Sequence, residues 1–247
     1  MILPPHLFKY QRVDLNSLVS LLARVVYFGS PKNFNGPYDC AVSAIVQELS
    51  DEGLTELLSR IDASHIAAIE PNIRKMLSAQ ARSTLQEMAG EFLEKRGVTC
   101  FSETNENLLM WSHYADSGTG MCLQFDTKDA IFSKVHRVKY VDAFPAVAAD
   151  ELLIDKNYSR IFELYCTKSK DWSYEREWRS FHETAGTKFG YESNSLAGVY
   201  LGPRITNEMA NLVAAMLKGY EQRVPLYISK PSAAEFKMEF QLAQYGG

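Results

Sequence analysis

No run in this chain approaches the ~20 consecutive apolar residues that a membrane helix requires, so a membrane-spanning role has no support in the sequence. The opening residues Met1–Val13 lack a basic segment followed by an apolar one, and no secretory leader is expected. An excess of positive charge is also missing. The formal net charge is −4, which removes a global nucleic-acid footprint, although a local basic cleft stays open. Cysteine is scarce. Cys40, Cys100, Cys122 and Cys166 form no Cys-x-x-Cys pair and have no histidine at zinc-ligand spacing. Free thiols in a reducing compartment are the simplest account, and no metal is expected. No P-loop, no Gly-x-Gly-x-x-Gly, no His-Glu-x-x-His and no Gly-x-Ser-x-Gly elbow occurs. These absences describe a soluble cytoplasmic protein with no membrane partner.

What is present is enough for a core. The chain has 247 residues with 46% hydrophobic content, which suits one large domain or two small ones. Asp14 is a plausible N-cap for a helix in which Leu15, Leu18, Leu21 and Leu22 recur at helical spacing. Val25-Val-Tyr-Phe28 follows as a strand. Residues 40–96 carry repeated i, i+3/i+4 apolar positions and strong helix formers, and are expected to be all-helical, an insertion or cap. The period then changes. Strands are expected at Gly97–Ser102, Gly120–Phe125, Val135–Val141, Gly198–Gly202 and Val224–Ser229. Helices are expected at Leu108–Ala115, over 152–168 and at Glu208–Lys218. Mixed elements without strict βαβ alternation predict an α+β fold, a mixed and mostly antiparallel sheet with helices plus the helical insertion, in a single domain over 1–247.

The densest segment is Lys168-Ser-Lys-Asp-Trp-Ser-Tyr-Glu-Arg-Glu-Trp-Arg-Ser-Phe-His182. As a strand from about Trp172, its period of two places Trp172, Tyr174, Arg176 and Trp178 on one face, and Ser173, Glu175, Glu177 and Arg179 on the other. Two neighbouring carboxylates disfavour each other's ionisation and suit proton handling. They also suit stabilising a cationic centre. The same alternation fits a surface strand with cross-strand ion pairs. Cys100–Asp116 is the second dense segment. It places Ser102 at a strand end and His113 and Tyr114 on a short helix, where Trp111 reads as core. In the rigid loop Tyr27–Asp39 only Asn35 stands out as more than turn chemistry. Lys9-Tyr10 could bring a cation and a phenol to a cleft.

These segments, in order, resemble the bacterial family catalogued as domain of unknown function 2971. The resemblance runs through Lys9-Tyr10, Tyr27-Phe-x-Ser-Pro-x-x-Phe-Asn-x-Pro37, Cys100-Phe-Ser102, Met110-Trp-Ser-His-Tyr-Ala115 with Gly120 and Phe125, Lys170-x-Trp-x-Tyr-Glu-x-Glu-x-Arg179, and a glycine near 202. It spans about residues 7–205. The family's Asn-Asp-Pro-Phe-Glu loop reads Asn35-Gly-Pro-Tyr-Asp39 here, which removes one acid and shortens another. A weaker resemblance, in layout alone, is to ADP-ribosyltransferase folds. It implies NAD as substrate, an ADP-ribosyltransferase or NAD glycohydrolase activity in a bacterial defence or toxin setting, and a nucleic-acid or protein acceptor. It also implies Glu177 as catalytic acid, Glu175 orienting the acceptor, and an NAD pocket lined by Lys9, Tyr10, Ser102, His113, Tyr114 and Arg179. On that assignment Glu177→Gln abolishes activity with little loss of stability. Two other readings stay open: a non-catalytic sensor holding a nucleotide or a protein partner, and a nuclease with Mg²⁺ on Asp39, Glu175 and Glu177.

Overall fold

The computed structural model describes residues 2–34, 36, 39–40, 44–60, 70–132, 134–155 and 158–244. Asn35, singled out in the sequence, and the helical expectations over 41–43 and 61–69 lie outside the described residues. In chain order the elements are β1 (His6–Gln11), α1 (Leu15–Leu22), β2 (Val25–Phe28), β3 (Ile45–Gln47), α2 (Asp51–Ser59), α3 (Glu70–Lys95), β4 (Gly97–Ser102), α4 (Leu108–Tyr114), β5 (Met121–Asp126), β6 (Val135–Arg137) and β7 (Lys139–Val141). They continue with β8 (Ala146–Ala148), α5 (Ala149–Leu153), α6 (Tyr158–Tyr165), β9 (Thr167–Ser169), β10 (Glu177–His182), β11 (Thr187–Gly190), β12 (Leu196–Leu201), α7 (Asn207–Leu217), β13 (Leu226–Pro231) and β14 (Met238–Leu242). The fold is mixed α+β. The chain forms two compact units. One comprises residues 1–29, 97–138 and 171–247, and the other residues 30–96 and 139–170.

The first unit is built on an eight-stranded sheet in the order β14-β13-β12-β5-β1-β4-β10-β6. Its pairings are antiparallel except β12 with β13, which run parallel. The parallel pair needs a crossover, and α7 supplies it. The strand period sorts the residues. On one face Leu7, Phe101, Leu123, Phe125, Trp178 and Val199 form the main core with Leu18 and Leu21 of α1 and Val213 and Leu217 of α7. Each such side chain, fully buried, stabilises by roughly 1.5–3 kcal/mol. On the other face Tyr10, Cys122 and Tyr200 pack with Met110, Trp111 and Ala115 and with Met238.

Local chemistry fixes the ends. Asp14 caps α1 as expected: its carboxylate accepts from the Ser17 amide at 2.8 Å, and its own amide donates to Ser17 Oγ at 2.9 Å. Asp14→Ala is expected to lower stability by about 1 kcal/mol, read as a reduced urea midpoint at unchanged slope. Gly202 ends β12 because a Cβ there would strike the Gly118 carbonyl, while its amide donates to Gly120 O at 2.9 Å. This close approach gives a packing reason for the glycines at 120 and 202.

The second unit contains the parallel pairs β3–β8 and β7–β9 and the helices α2, α3, α5 and α6. Ser50 caps α2, and Asp150 accepts from both the Ser50 amide and its hydroxyl. Phe92 stacks on Tyr165 with ring centroids 3.5 Å apart. Lys168 and Asp39 form a buried ion pair at 3.1 Å.

Several local expectations change. Ile45–Gln47, expected helical, is strand β3, where β-branched Ile45 and Val46 pair with β8. The expected strand 135–141 breaks at Val138, whose side chain is buried and whose amide donates to Glu177 O at 2.9 Å. β6 therefore pairs with β10, whereas β7 pairs with β9. The helix expected over 152–168 is α5, α6 and β9. The sequence pattern does not predict β11 and β14. Among the described residues no helix is long and apolar enough to cross a membrane, and none of the four cysteines is in a disulfide.

Candidate functional site

The strand expected from Trp172 begins only at Glu177. Lys170–Glu175 is a 3-10 turn, and Arg176 follows with φ 45°, in the left-handed region. The chain can hold this kink because neighbouring groups bind its backbone. The Arg176 amide donates to Ser173 O at 3.3 Å, and its carbonyl accepts from the Glu103 amide at 3.1 Å. Ser102 secures the same corner: its hydroxyl donates to the Glu175 carbonyl at 2.6 Å and accepts from the Thr104 amide at 3.2 Å. Ser102 thus shapes the backbone that presents Glu175.

The kink corrects the two-face reading. Glu175 and Glu177 do not share one regular strand. Period two holds only from Glu177 onward, where Glu177 and Arg179 share a face and Trp178 points to the main core. Both carboxylates are buried, Glu175 at 2% exposure and Glu177 at 5%. Buried carboxylates need partners. Arg179, fully buried, grips Glu177 through Nε to Oε1 at 2.7 Å and a terminal nitrogen to Oε2 at 2.9 Å. Two parallel charge-assisted bonds fix the carboxylate's plane as well as its charge. Glu175 Oε1 accepts from the Tyr114 hydroxyl at 2.5 Å. Burial pushes the Tyr114 phenol well above its ordinary range, followed by that hydrogen bond and by the charges of Glu175 and Glu177. Tyr114 stays a protonated donor.

Helix α4 supplies the other wall. Asn107 caps it by accepting from the Leu109 and Met110 amides, and Met110 and Trp111 bury its inner side. The outer side carries His113, whose Nδ1 lies 3.0 Å from the Tyr174 hydroxyl. The His113 ring lies 6.2, 6.3 and 6.1 Å from those of Tyr114, Trp172 and Tyr174. The 3-10 turn, not a strand, turns Trp172 and Tyr174 toward His113.

The structure therefore assembles Ser102, His113, Tyr114, Glu175, Glu177 and Arg179 within the first unit. Tyr10 shares their sheet face but is tied elsewhere: its hydroxyl donates to Thr104 O at 3.0 Å, and its ring sits edge-on to Trp111 at 5.3 Å. Burial raises its phenol strongly as well. Lys9 projects from the opposite face, where its ammonium donates to Thr99 Oγ1 at 2.8 Å and Cys100 O at 3.3 Å. Trp111 is core, at 1% exposure.

Sequence reasoning missed Glu103 and His136. Glu103 accepts from Trp178 Nε1 at 2.8 Å and pairs with Arg137 at 3.2 Å. His136 stands directly opposite Arg179 across β6 and β10, and burial lowers its imidazole. No local motif marks either residue; only strand pairing does. Among the described residues no group of three or more His, Cys, Asp or Glu is placed to hold a metal ion.

The model of a family described as "Protein of unknown function (DUF2971)" matches residues 110–180, from α4 into β10. This supports the family on the segment that carries Met110–Ala115 and Lys170–Arg179. No curated protein and no solved structure matches the chain.

Proposed function

We propose, from a family whose description carries no function, that this chain is an NAD-cleaving enzyme of the ADP-ribosyltransferase or NAD glycohydrolase kind, with an ADP-ribosyltransferase-like sheet. What supports the reading most is one observation. Two buried carboxylates meet at a strained kink, each held by a dedicated donor, beside a wall of His113, Trp172 and Tyr174. Cleavage of the nicotinamide–ribose bond develops positive charge on the ribose, as in glycoside hydrolysis. A carboxylate already ionised and oriented meets that charge without reorganising. In this proposal Glu177, paired with Arg179, faces the ribose. Glu175, aligned by Tyr114, orients the acceptor. The aromatic wall stacks on the nicotinamide or adenine ring. Arg179 and Ser102 are positioning residues.

The test is incubation of the protein with NAD, with and without cell lysate as acceptor source, and mass detection of nicotinamide. Release by the wild type is expected, and its loss in Glu177→Gln at matched folded fraction. No release under either condition overturns the reading.

A second reading has its own observation. The Glu177–Arg179 pair is buried and bidentate, which suits a rigid binding module as well as a catalyst. A nucleotide-dependent rise in melting temperature without turnover would favour that sensor.

A further inference from the structure

A second polar centre lies on the sheet face opposite the two carboxylates. There Lys9 and Gln11, two residues apart on β1, point the same way as Leu123 of β5, under α1 and β2. They line a cavity of about 30 Å³ whose other walls include Ser20, Leu21, Val26 and Phe125. That volume admits one water or one monatomic ion, and no nucleotide. Two features of its lining call for an acceptor. The buried Gln11 Nε2 has no hydrogen-bond partner among the described residues. The Lys9 ammonium is buried over the Phe101 ring at 5.4 Å, and that burial lowers its pKa. Its two hydrogen-bond acceptors, Thr99 Oγ1 and Cys100 O, are neutral, and one of its three protons remains. Among the described residues no carboxylate lies within ion-pair distance of it. The fields of Cys100 and Glu177 act against the effect of burial on Lys9, and Glu177 is itself paired with Arg179. A buried ammonium with a proton to spare beside an unused amide donor, in a largely apolar pocket, favours an added acceptor.

We propose that this cavity binds a single small monovalent anion, chloride or bromide in size, held by Lys9 Nζ and Gln11 Nε2. A bound water would satisfy the amide but leave the charge unmatched; a halide answers both. The site is independent of NAD cleavage, because it lies on the other face of β1 and stands whether or not nicotinamide is released.

The chloride NMR linewidth in the presence of the protein reports binding directly. The wild type is expected to broaden the line saturably, and bromide to compete the excess away. Lys9→Met is expected to weaken the affinity by about tenfold or more, since a charge-assisted bond is lost. Gln11→Leu, which keeps the cation and fills the cavity, is expected to remove most of the broadening and serves if Lys9→Met fails to fold. The melting temperature should rise with chloride but not with gluconate at equal ionic strength, and this difference should vanish in both variants. No excess broadening in the wild type, or equal broadening in the wild type and both variants, overturns the proposal.

Discussion

Arg179→Leu is expected to destabilise the protein by about 3–5 kcal/mol, because it leaves the Glu177 carboxylate buried with its bidentate partner gone. Arg179 has no solvent exposure, and the Glu177 side chain has 7%. Water cannot take over the role of the guanidinium without opening the sheet between β4, β10 and β6. The double variant Glu177→Gln/Arg179→Leu removes both charges and is expected to recover a large part of the loss. Chemical denaturation of the wild type, both single variants and the double variant closes the cycle. A coupling near zero would mean that the pair is held by its surroundings and contributes nothing of its own. The same geometry alters the expectation that Glu177→Gln leaves stability almost untouched. That substitution removes a charged partner of a fully buried guanidinium, so a fall in activity counts as chemical only when the folded fraction is measured beside it.

How far the sequence reached can be judged at this pair. Glu177 and Arg179 sit two apart on a strand, and period two alone puts them on one face. Asp14 as a cap, Trp111 as core and the strand Gly97–Ser102 follow equally from local chemistry, and all are present. The failure lay in where the strand began. A run rich in Trp and Tyr looks like β-structure, yet Lys170–Glu175 coils into a 3-10 turn. Its corner is tied to Ser102, Glu103 and Tyr114, among others, about 60 to 75 positions away. Nothing local announces such partners. Lys9 shows the converse. The dipeptide Lys9-Tyr10 reads as one contact with a cleft, but successive strand residues face opposite ways, so only one of the two can reach the carboxylate face. That consequence was legible in the sequence. The strand pattern places Arg176 on a face, whereas its positive φ, which costs an L-residue roughly 1–2 kcal/mol, follows from the corner that Glu103 and Ser173 close around it.

The second large effect concerns Glu175, and it separates the roles of the two carboxylates. Glu175→Gln keeps an acceptor oxygen for the Tyr114 hydroxyl but removes the charge. If Glu175 orients and deprotonates the acceptor, this variant should lose transfer to acceptor by roughly 10²–10⁴-fold, while nicotinamide release in the absence of acceptor changes little. Tyr114→Phe does the reverse: it keeps the charge and removes the donor that fixes it at 2.5 Å. A hydrogen bond to a charged group contributes roughly 1.5–3 kcal/mol, so a tenfold to hundredfold loss of transfer is expected if all of that orientation matters to the reaction. Both measurements need the same samples checked for folding by circular dichroism. Equal losses of release and transfer in Glu175→Gln would move the stabilisation of the ribose cation from Glu177 to Glu175. The kink at Arg176 would then serve to aim Glu175, and Glu177 with Arg179 would be the brace behind it. Unchanged release and unchanged transfer in both folded variants would remove Glu175 from the chemistry.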